Sequence, residues 1–558
     1  MFILQTLIVT LLALAPFGIG ARKNPALALR LAAFFGVLLG AVNFGIFYAG
    51  CFSTAYVMWG GIGFLCVAEM IGMGLIVIAA MSGSPFVLAP GTVLLLCFVV
   101  LNVPGCEMLN AKKYASLAGK IEEKGMKQWV KDNQPIDENN IRLVPESLAI
   151  ANATLVMSDG GAIGSSYDLA VYNITLQKIR DRYYYLIPLG YKSFGRWTSL
   201  SSIGKYVRVS ATDPYAKAEL VAGKNMRYSP SAFFSEELTR HIYTHGYSGF
   251  VIEDVLFEED DHGGTWWVVT VTKPTIASWG AKAEGVLVVD PESGSITPYA
   301  VNSVPAWVDR VIPEHLVSSY LSYWGTLKDG WWNSVWSGKN LMEPETPVLN
   351  YTADGRCMFV TPMTSTSLND NTMIGIVYTD ARTGESTMYQ VPGGATEEAL
   401  TVAVNAAVSY KRWHASSQMV YENIYGNLSA LVPILSEGGN YQGLAVVETQ
   451  NKRVAYGTTP QEALREFERI LASTPGPIES SAAAKEVRLE STVSRIGWDL
   501  TQNGKQYYFM VANSNIMFMG TSNVLAITKE GDRVSISYMS NAKGMAPVVS
   551  FTNLTLGK

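Results

Sequence analysis

Four apolar stretches fill the first 104 residues of this 558-residue chain, at 2–20, 31–50, 56–81 and 87–103, and nothing like them recurs afterwards. Each is close to the roughly 17–25 residues that an α-helix, rising about 1.5 Å per residue, needs to cross a bilayer's hydrocarbon core. The pattern predicts an N-terminal four-helix transmembrane anchor followed by a large polar body. That body is too long for one domain, so several are expected.

The first stretch lacks a basic n-region, and Gly18-Ile19-Gly20-Ala21 is a poor cleavage site, so it reads as a retained helix rather than a signal peptide. Arg22, Lys23 and Arg30 sit between the first two stretches and favour a cytoplasmic first loop, which after four crossings puts the body outside the cytoplasm. Lys112, Lys113, Lys120 and Lys124 beyond the last stretch argue the other way. Because long domains cross regardless of charge, an extracytoplasmic body is the favoured orientation. Gly36-x-x-x-Gly40 in the second stretch, with Gly72 and Gly74 in the third, allows close helix packing and homo-oligomerisation within the membrane. Glu69 falls near the middle of the third stretch, where an ionised carboxylate is costly. It is therefore expected to be neutral or paired, with Asn43 as a partner, or to serve an ion or proton path.

Net charge is −5 and no basic stripe is interleaved with aromatics, which argues against nucleic acid as a partner. Four of the five cysteines (Cys51, Cys66, Cys97 and Cys106) lie in or beside the apolar block, and only Cys357 falls in the body. No disulfide framework or CxxC knuckle is present.

The body divides by pattern. Residues 107–140 read as a helical stalk and linker, and 141–232 as an α+β region. Repeated units occupy 233–345 and 346–472, a linker runs through 473–485, and alternating strands over 486–558 predict a small β-barrel of the OB or SH3 kind. The repeat rests on Val289-Asp290-Pro-Glu-Ser293-Gly294 and Thr379-Asp380-Ala-Arg-Thr383-Gly384. In each, Asp caps a hairpin turn through its side chain and Gly supplies a positive φ. Glu448-Thr-Gln-Asn451-Lys452 is a looser third copy. Ser235-Glu236-Glu237, Thr396-Glu397-Glu398 and Thr459-Pro460-Gln461-Glu462 open helices beside these hairpins. The fold class is thus a transmembrane anchor plus an α+β multidomain body of repeated helix-plus-antiparallel-sheet units.

These residues resemble the PepSY domain family, in which a helix lies on a short antiparallel sheet ending in a V-D-x-x-T-G-x hairpin. The matching pieces are 250–257, 265–272 and 285–299, with a second set around 374–391, and together they extend over some 200 residues. A wider group of uncharacterised bacterial and phage membrane proteins shares the Asp290–Pro313 and Gly375–Leu400 features. The resemblance implies extracytoplasmic regulation of proteases or of partner membrane proteins.

Two clusters could hold a metal. Glu237, His241 and His245 share one helix face at a spacing compatible with Zn²⁺, against a capping role. Glu258, Asp260 and Asp261 offer hard oxygens for Ca²⁺, against a solvated hairpin tip. Trp324, Trp331, Trp332 and Trp336 fit core packing, a binding surface or an edge at the membrane interface. No nucleophile elbow, phosphate loop or dinucleotide fingerprint occurs in a credible context, and no cofactor is implied. The expected function is a membrane-anchored, non-enzymatic binding, scaffold or regulatory protein of the cell envelope, with the bilayer and a protein as partners. Alternatives are a channel or transporter subunit using Glu69, and an envelope hydrolase.

Overall fold

A computed structural model describes residues 2–14, 25–51, 53, 105–138, 140–159, 163–277, 279–352, 355–366, 372–472, 486–501, 504–520, 522–539, 545–548 and 550–556. The chain divides into two compact units. One comprises Met1–Glu123 with Arg142–Gln390, and the other Lys124–Ile141 with Val391–Lys558.

The N-terminus of the first unit is a helical pair, α1 (Phe2–Leu14) and α2 (Pro25–Gly50). Asn43 donates its amide to Thr10 Oγ1 at 3.2 Å, so it serves α1. A Cβ on Gly36 would meet Leu14 at 3.2 Å, whereas one on Gly40 would meet nothing within 4 Å. Gly36 alone of the two therefore brings the helices together. The four-helix anchor is corrected by this arrangement. Among the described residues only Ala32–Gly50 is long and apolar enough to cross a membrane. The 13 residues of α1 reach about 20 Å, short of a hydrocarbon core of about 30 Å. They also carry the buried polar groups Gln5, Thr6 and Thr10. The multi-pass topology is unsupported. What stands is one N-terminal apolar helix with the character of a membrane anchor or a signal sequence. The stretches at 56–81 and 87–103, with Glu69, Gly72 and Gly74, lie outside the described residues.

Residues 107–132 form α3 (Glu107–Ala115), the short strand β1 (Glu122–Gly125) and α4 (Met126–Asp132). The expected stalk is anchored at both ends. Tyr114 of α3 packs 4.7 Å from the Tyr323 ring within the first unit. In the second unit Trp129 is fully buried and Ile136 donates its N–H to the Asn423 carbonyl.

From residue 142 onward one plan is built four times. A segment enters a helix, and a four-stranded antiparallel meander follows. The first copy has α5 (Glu146–Asp159), the short strand β2 (Tyr167–Leu169), and β3 (Thr175–Ile179), β4 (Arg182–Tyr191), β5 (Ile203–Ser210) and β6 (Glu219–Met226). The second has α6 (Leu238–Ile242), then β7 (Val251–Glu259), β8 (Thr265–Ile276), β9 (Trp279–Val289) and β10 (Ile296–Ala300). The third has α7 (Glu314–Leu327), β11 (Met342–Pro344), and β12 (Val348–Tyr351), β13 (Cys357–Ser365), β14 (Thr372–Asp380) and β15 (Ser386–Ala395). The fourth has α8 (Glu397–Val408), β16 (Trp413–Ala415), and β17 (Val420–Ile424), β18 (Asn427–Ser436), β19 (Tyr441–Glu448) and β20 (Val454–Gly457). In the first, third and fourth copies the extra short strand pairs with the meander's second strand, as β2 with β4, β11 with β13 and β16 with β18.

A shared clasp closes every copy. Val144, Tyr228, Ile312 and Ala395 follow one another at steps of eighty-three or eighty-four residues. Their backbone N–H groups donate to the carbonyls of Ala211, Pro291, Ala381 and Thr449 at 3.0, 2.9, 2.9 and 2.7 Å. Each acceptor lies one residue past the start of the turn between the third and fourth strands. Ala211, Ala381 and Thr449 also donate their own N–H to Tyr183, Cys357 and Leu428, at the start of the second strand. Proline at 291 has no N–H to give.

The turns repeat too. Asp290 Oδ1 accepts from the N–H groups of Glu292 and Ser293, and Asp380 Oδ1 from those of Arg382 and Thr383. Ser210 Oγ accepts from Thr212 and Asp213 in the same way. Gly294, Gly384 and Lys452 hold φ of 74°, 77° and 53°, and each donates back to the carbonyl of the first turn residue. Gly285, Gly375 and Gly443 occupy one position on the third strand, where a Cβ would collide with the fourth strand at Tyr299, Met388 and Gly457.

Helix faces follow from spacing. Leu400, Val404 and Val408 recur every four residues on the buried side of α8, behind a Thr396 cap that accepts the Ala399 N–H. The second unit continues with α9 (Pro460–Ala472), opened by a reciprocal capping box between Thr459 and Glu462. It ends in six strands, β21 (Glu486–Thr501), β22 (Gly504–Val511), β23 (Met517–Gly520), β24 (Arg533–Met539), β25 (Met545–Pro547) and β26 (Ser550–Asn553). Their order is β25-β23-β22-β21-β24-β26. The expected small barrel is thus a half-barrel. The long β21 serves β24 with its first half and β22 with its second, turning at a bulge between Val493 and Arg495. The curl wraps a core of Phe509, Phe518, Val534 and Ile536.

Replacing Gly285 by Ala is expected to cost about 1–3 kcal/mol, because its Cβ must displace the backbone at Tyr299. Gly249→Ala, with nothing within 4 Å, should change stability by less than about 0.5 kcal/mol. Urea unfolding of both variants checks the contrast.

Candidate functional site

Where the first three copies adjoin, the sequence places charge in a protein interior. Strand β7 supplies Glu253, Asp254 and Glu258; the segment entering α7 supplies Asp309, Arg310 and His315; β12 and β13 supply Tyr351 and Cys357. Glu258 is fully buried, and neither carboxyl oxygen meets a side-chain donor in hydrogen-bonding geometry, while the Asp309 N–H nearby eases its charge. Burial pushes its carboxyl well above the usual range, the neighbouring Asp309 carboxyl adds to this, and the Arg310 guanidinium opposes it. Burial likewise raises Asp309.

The hydrogen bonds around Asp309 oppose the effect of its burial. Tyr351 Oη lies 2.7 Å from Asp309 Oδ2 and 3.2 Å from the Leu176 carbonyl oxygen. A hydroxyl has one proton to give. Tyr351 gives it to Asp309 Oδ2, the shorter contact, and the same oxygen accepts the Lys178 N–H at 3.2 Å. Cys357 is fully buried, which raises its thiol well above the normal value and leaves it a poor nucleophile.

At the outer edge the charges are paired. Arg310 Nη2 contacts Asp254 at 3.2 Å. His315 contacts Glu253 Oε2 at 3.2 Å, while Thr272 donates to Glu253 Oε1 at 2.8 Å. Burial alone would raise Glu253, but the hydrogen bonds from His315 and Thr272 outweigh it and hold the carboxyl low. The same bond raises His315. The arrangement places carboxyl groups beside paired charges in a packed interior.

The residues singled out from the sequence are mostly taken up by structure. Glu237 caps α6, accepting from Thr239 and Arg240. His241 Nε2 donates to the Gly294 carbonyl at 2.7 Å, and His245 Nδ1 to the His241 carbonyl at 2.7 Å. One ring nitrogen of each histidine is spent on backbone, and Glu237 is spent on its cap. Among the described residues no three His, Cys, Asp or Glu side chains are arranged to hold a metal ion. The acidic run at 258–261 is not one solvated tip either. Glu258 is interior, and Glu259 accepts from the Tyr206 hydroxyl at 2.7 Å. Asp260 caps the turn through the N–H groups of His262 and Gly264 and also accepts from Trp266 Nε1. Asp261 alone of the three candidate ligands is exposed. Asp290 adds an ion pair to its turn, with Lys224 Nζ at 2.7 Å and that ammonium 3.1 Å from the Trp266 ring centroid.

The buried carboxyl makes a signed prediction. An acid whose folded pKa exceeds its unfolded value of about 4.3 binds its proton more tightly when folded, so its contribution falls as pH rises above that value. Glu258→Gln should therefore raise the melting temperature, by several degrees at pH 8 and by less at pH 5, in calorimetric scans at the two pH values.

The chain matches no family model and no curated protein.

Proposed function

We propose that this chain is a membrane-tethered, non-enzymatic binding or scaffold protein of the cell envelope, its body of PepSY-like repeats held outside the cytoplasm. The observation that carries this reading is the junction between α2 and the second repeat. Arg240 donates to the Tyr48 carbonyl through Nε at 3.3 Å and Nη2 at 3.1 Å, and its guanidinium lies over the Tyr48 ring. Ser53 donates to the Ser248 carbonyl at 3.0 Å. The C-terminal end of the apolar helix is thereby fixed to the body, while Arg22, Lys23 and Arg30 flank its other end. Positive charge on that far side favours a cytoplasmic N-terminal flank and an external body.

The repeated architecture supports recognition over turnover. Tandem units multiply similar surfaces, and the Asp290 and Asp380 carboxylates are occupied by their own turns. Confinement to a membrane plane raises the effective concentration of the body near other membrane proteins.

The test is flotation of the full chain with native membranes, together with protease shaving of intact spheroplasts. The body is expected to float and to be digested before lysis. Recovery in the detergent-free supernatant, digestion only after lysis, or turnover of peptide, glycan or ester substrates by the purified protein would each overturn the reading.

A further inference from the structure

The sheet of the second repeat has one end at which several independent features meet. Strand β7 begins at Val251, opposite Thr272, and β8 runs on to pair Ile276 with Trp279 at the start of β9. The approach to β7 and the β8–β9 turn therefore lie at the same end, and Lys273 sits 4.5 Å from the Phe250 ring centroid. Ser53 is bonded to Ser248 at this end. Gly105 lies so close against Trp279 that a Cβ would overlap the indole. Ser53 and Gly105 thus both lie at this end of the sheet.

Exposed tryptophan collects at the same end. Trp331 packs with Ile276, Leu327, Ala111 and Tyr114, which places the loop after α7 beside the β8–β9 turn. From that loop Trp332 and Trp336 project as a stacked pair, centroids 4.6 Å apart and planes at 6°. They are 56% and 76% exposed, and Trp279 is 53% exposed. Water is a poor solvent for three such rings, whereas the headgroup region of a bilayer accommodates an apolar body with a polar N–H. Lys112 and Lys113, exposed on α3 just after Gly105, add charge suited to anionic headgroups.

We propose that this end of the second repeat's sheet, with Trp279, Trp332 and Trp336, is a footing that inserts into the interfacial region of a lipid bilayer. The inference rests on the membrane tether argued above and goes further, since a tether alone leaves the body free to stand off. The footing restricts the body to one orientation on the membrane surface.

The test uses full-length protein in vesicles of phosphatidylcholine and phosphatidylglycerol at 3:1, with an environment-sensitive fluorophore on Trp336→Cys. A second variant, Tyr215→Cys, carries the label on the first repeat at a residue 75% exposed, and labelled parent protein corrects for the native cysteines. Lipids brominated on the acyl chain are expected to quench the label at 336 at least twofold more than the label at 215, and aqueous iodide to do the reverse. Equal iodide access at both positions in protein that floats with the vesicles overturns the footing and leaves the tether standing. Shielding from iodide without quenching by brominated lipid also overturns it, because protein rather than lipid then covers the loop. Failure to float defeats the tether itself.

Discussion

The body depends on a single kind of hydrogen bond. A carbonyl just inside the turn between the third and fourth strands accepts the N–H of the residue leading into that repeat's helix. Each bond contributes on the order of 1 kcal/mol net, but its position matters more than its strength. It joins the start of a repeat to nearly its end, 54 to 69 residues later, and so fixes the helix across the meander. The turn must hold its shape for the carbonyl to point outward, which explains why Asp290, Asp380 and Ser210 spend side-chain oxygens on their own backbone. It also explains the glycines at 285, 375 and 443, where the fourth strand passes too close for a side chain.

Against this economical frame the interior charge stands out. Glu258 and Asp309 sit in a region that apolar residues could fill, and burying such groups is unfavourable unless they are neutral or paired. Asp309 accepts from the Tyr351 hydroxyl and the Lys178 N–H, and the Arg310–Asp254 pair lies beside Glu258. The cluster gathers residues from three successive repeats, so its satisfaction depends on all three being in register.

Much of the local structure was legible in the sequence. The Asp–Gly hairpins, the Thr396 and Thr459 caps and the strand-rich C-terminus follow from turn chemistry, capping and alternation. The fourfold plan was only partly legible, because the clasp is a backbone bond that imposes no side-chain identity. Arg142-Leu-Val-Pro-Glu146 and Arg310-Val-Ile-Pro-Glu314 are nearly the same pentapeptide and signal it, yet the corresponding segments at Tyr228 and Ala395 share no such spelling. The half-barrel differs from a closed one because β21 bends at its bulge and leaves β25 and β26 as separate edges, which alternation alone does not reveal. The anchor was over-read for another reason. Apolar length licenses a span, but α1 is short and packs polar groups against Asn43. The buried cluster was missed because the run Glu258-Glu259-Asp260-Asp261 looks solvated, whereas strand alternation and the turn send its members into different surroundings.

Proline at position 291 removes one donor from the clasp of the second repeat, and that repeat is also where the apolar helix is fastened, through Arg240 and Ser53. The helix is thus fastened to a repeat whose clasp keeps the two bonds from Arg227 and Tyr228 but lacks the return bond that Ala211, Ala381 and Thr449 make in the other copies.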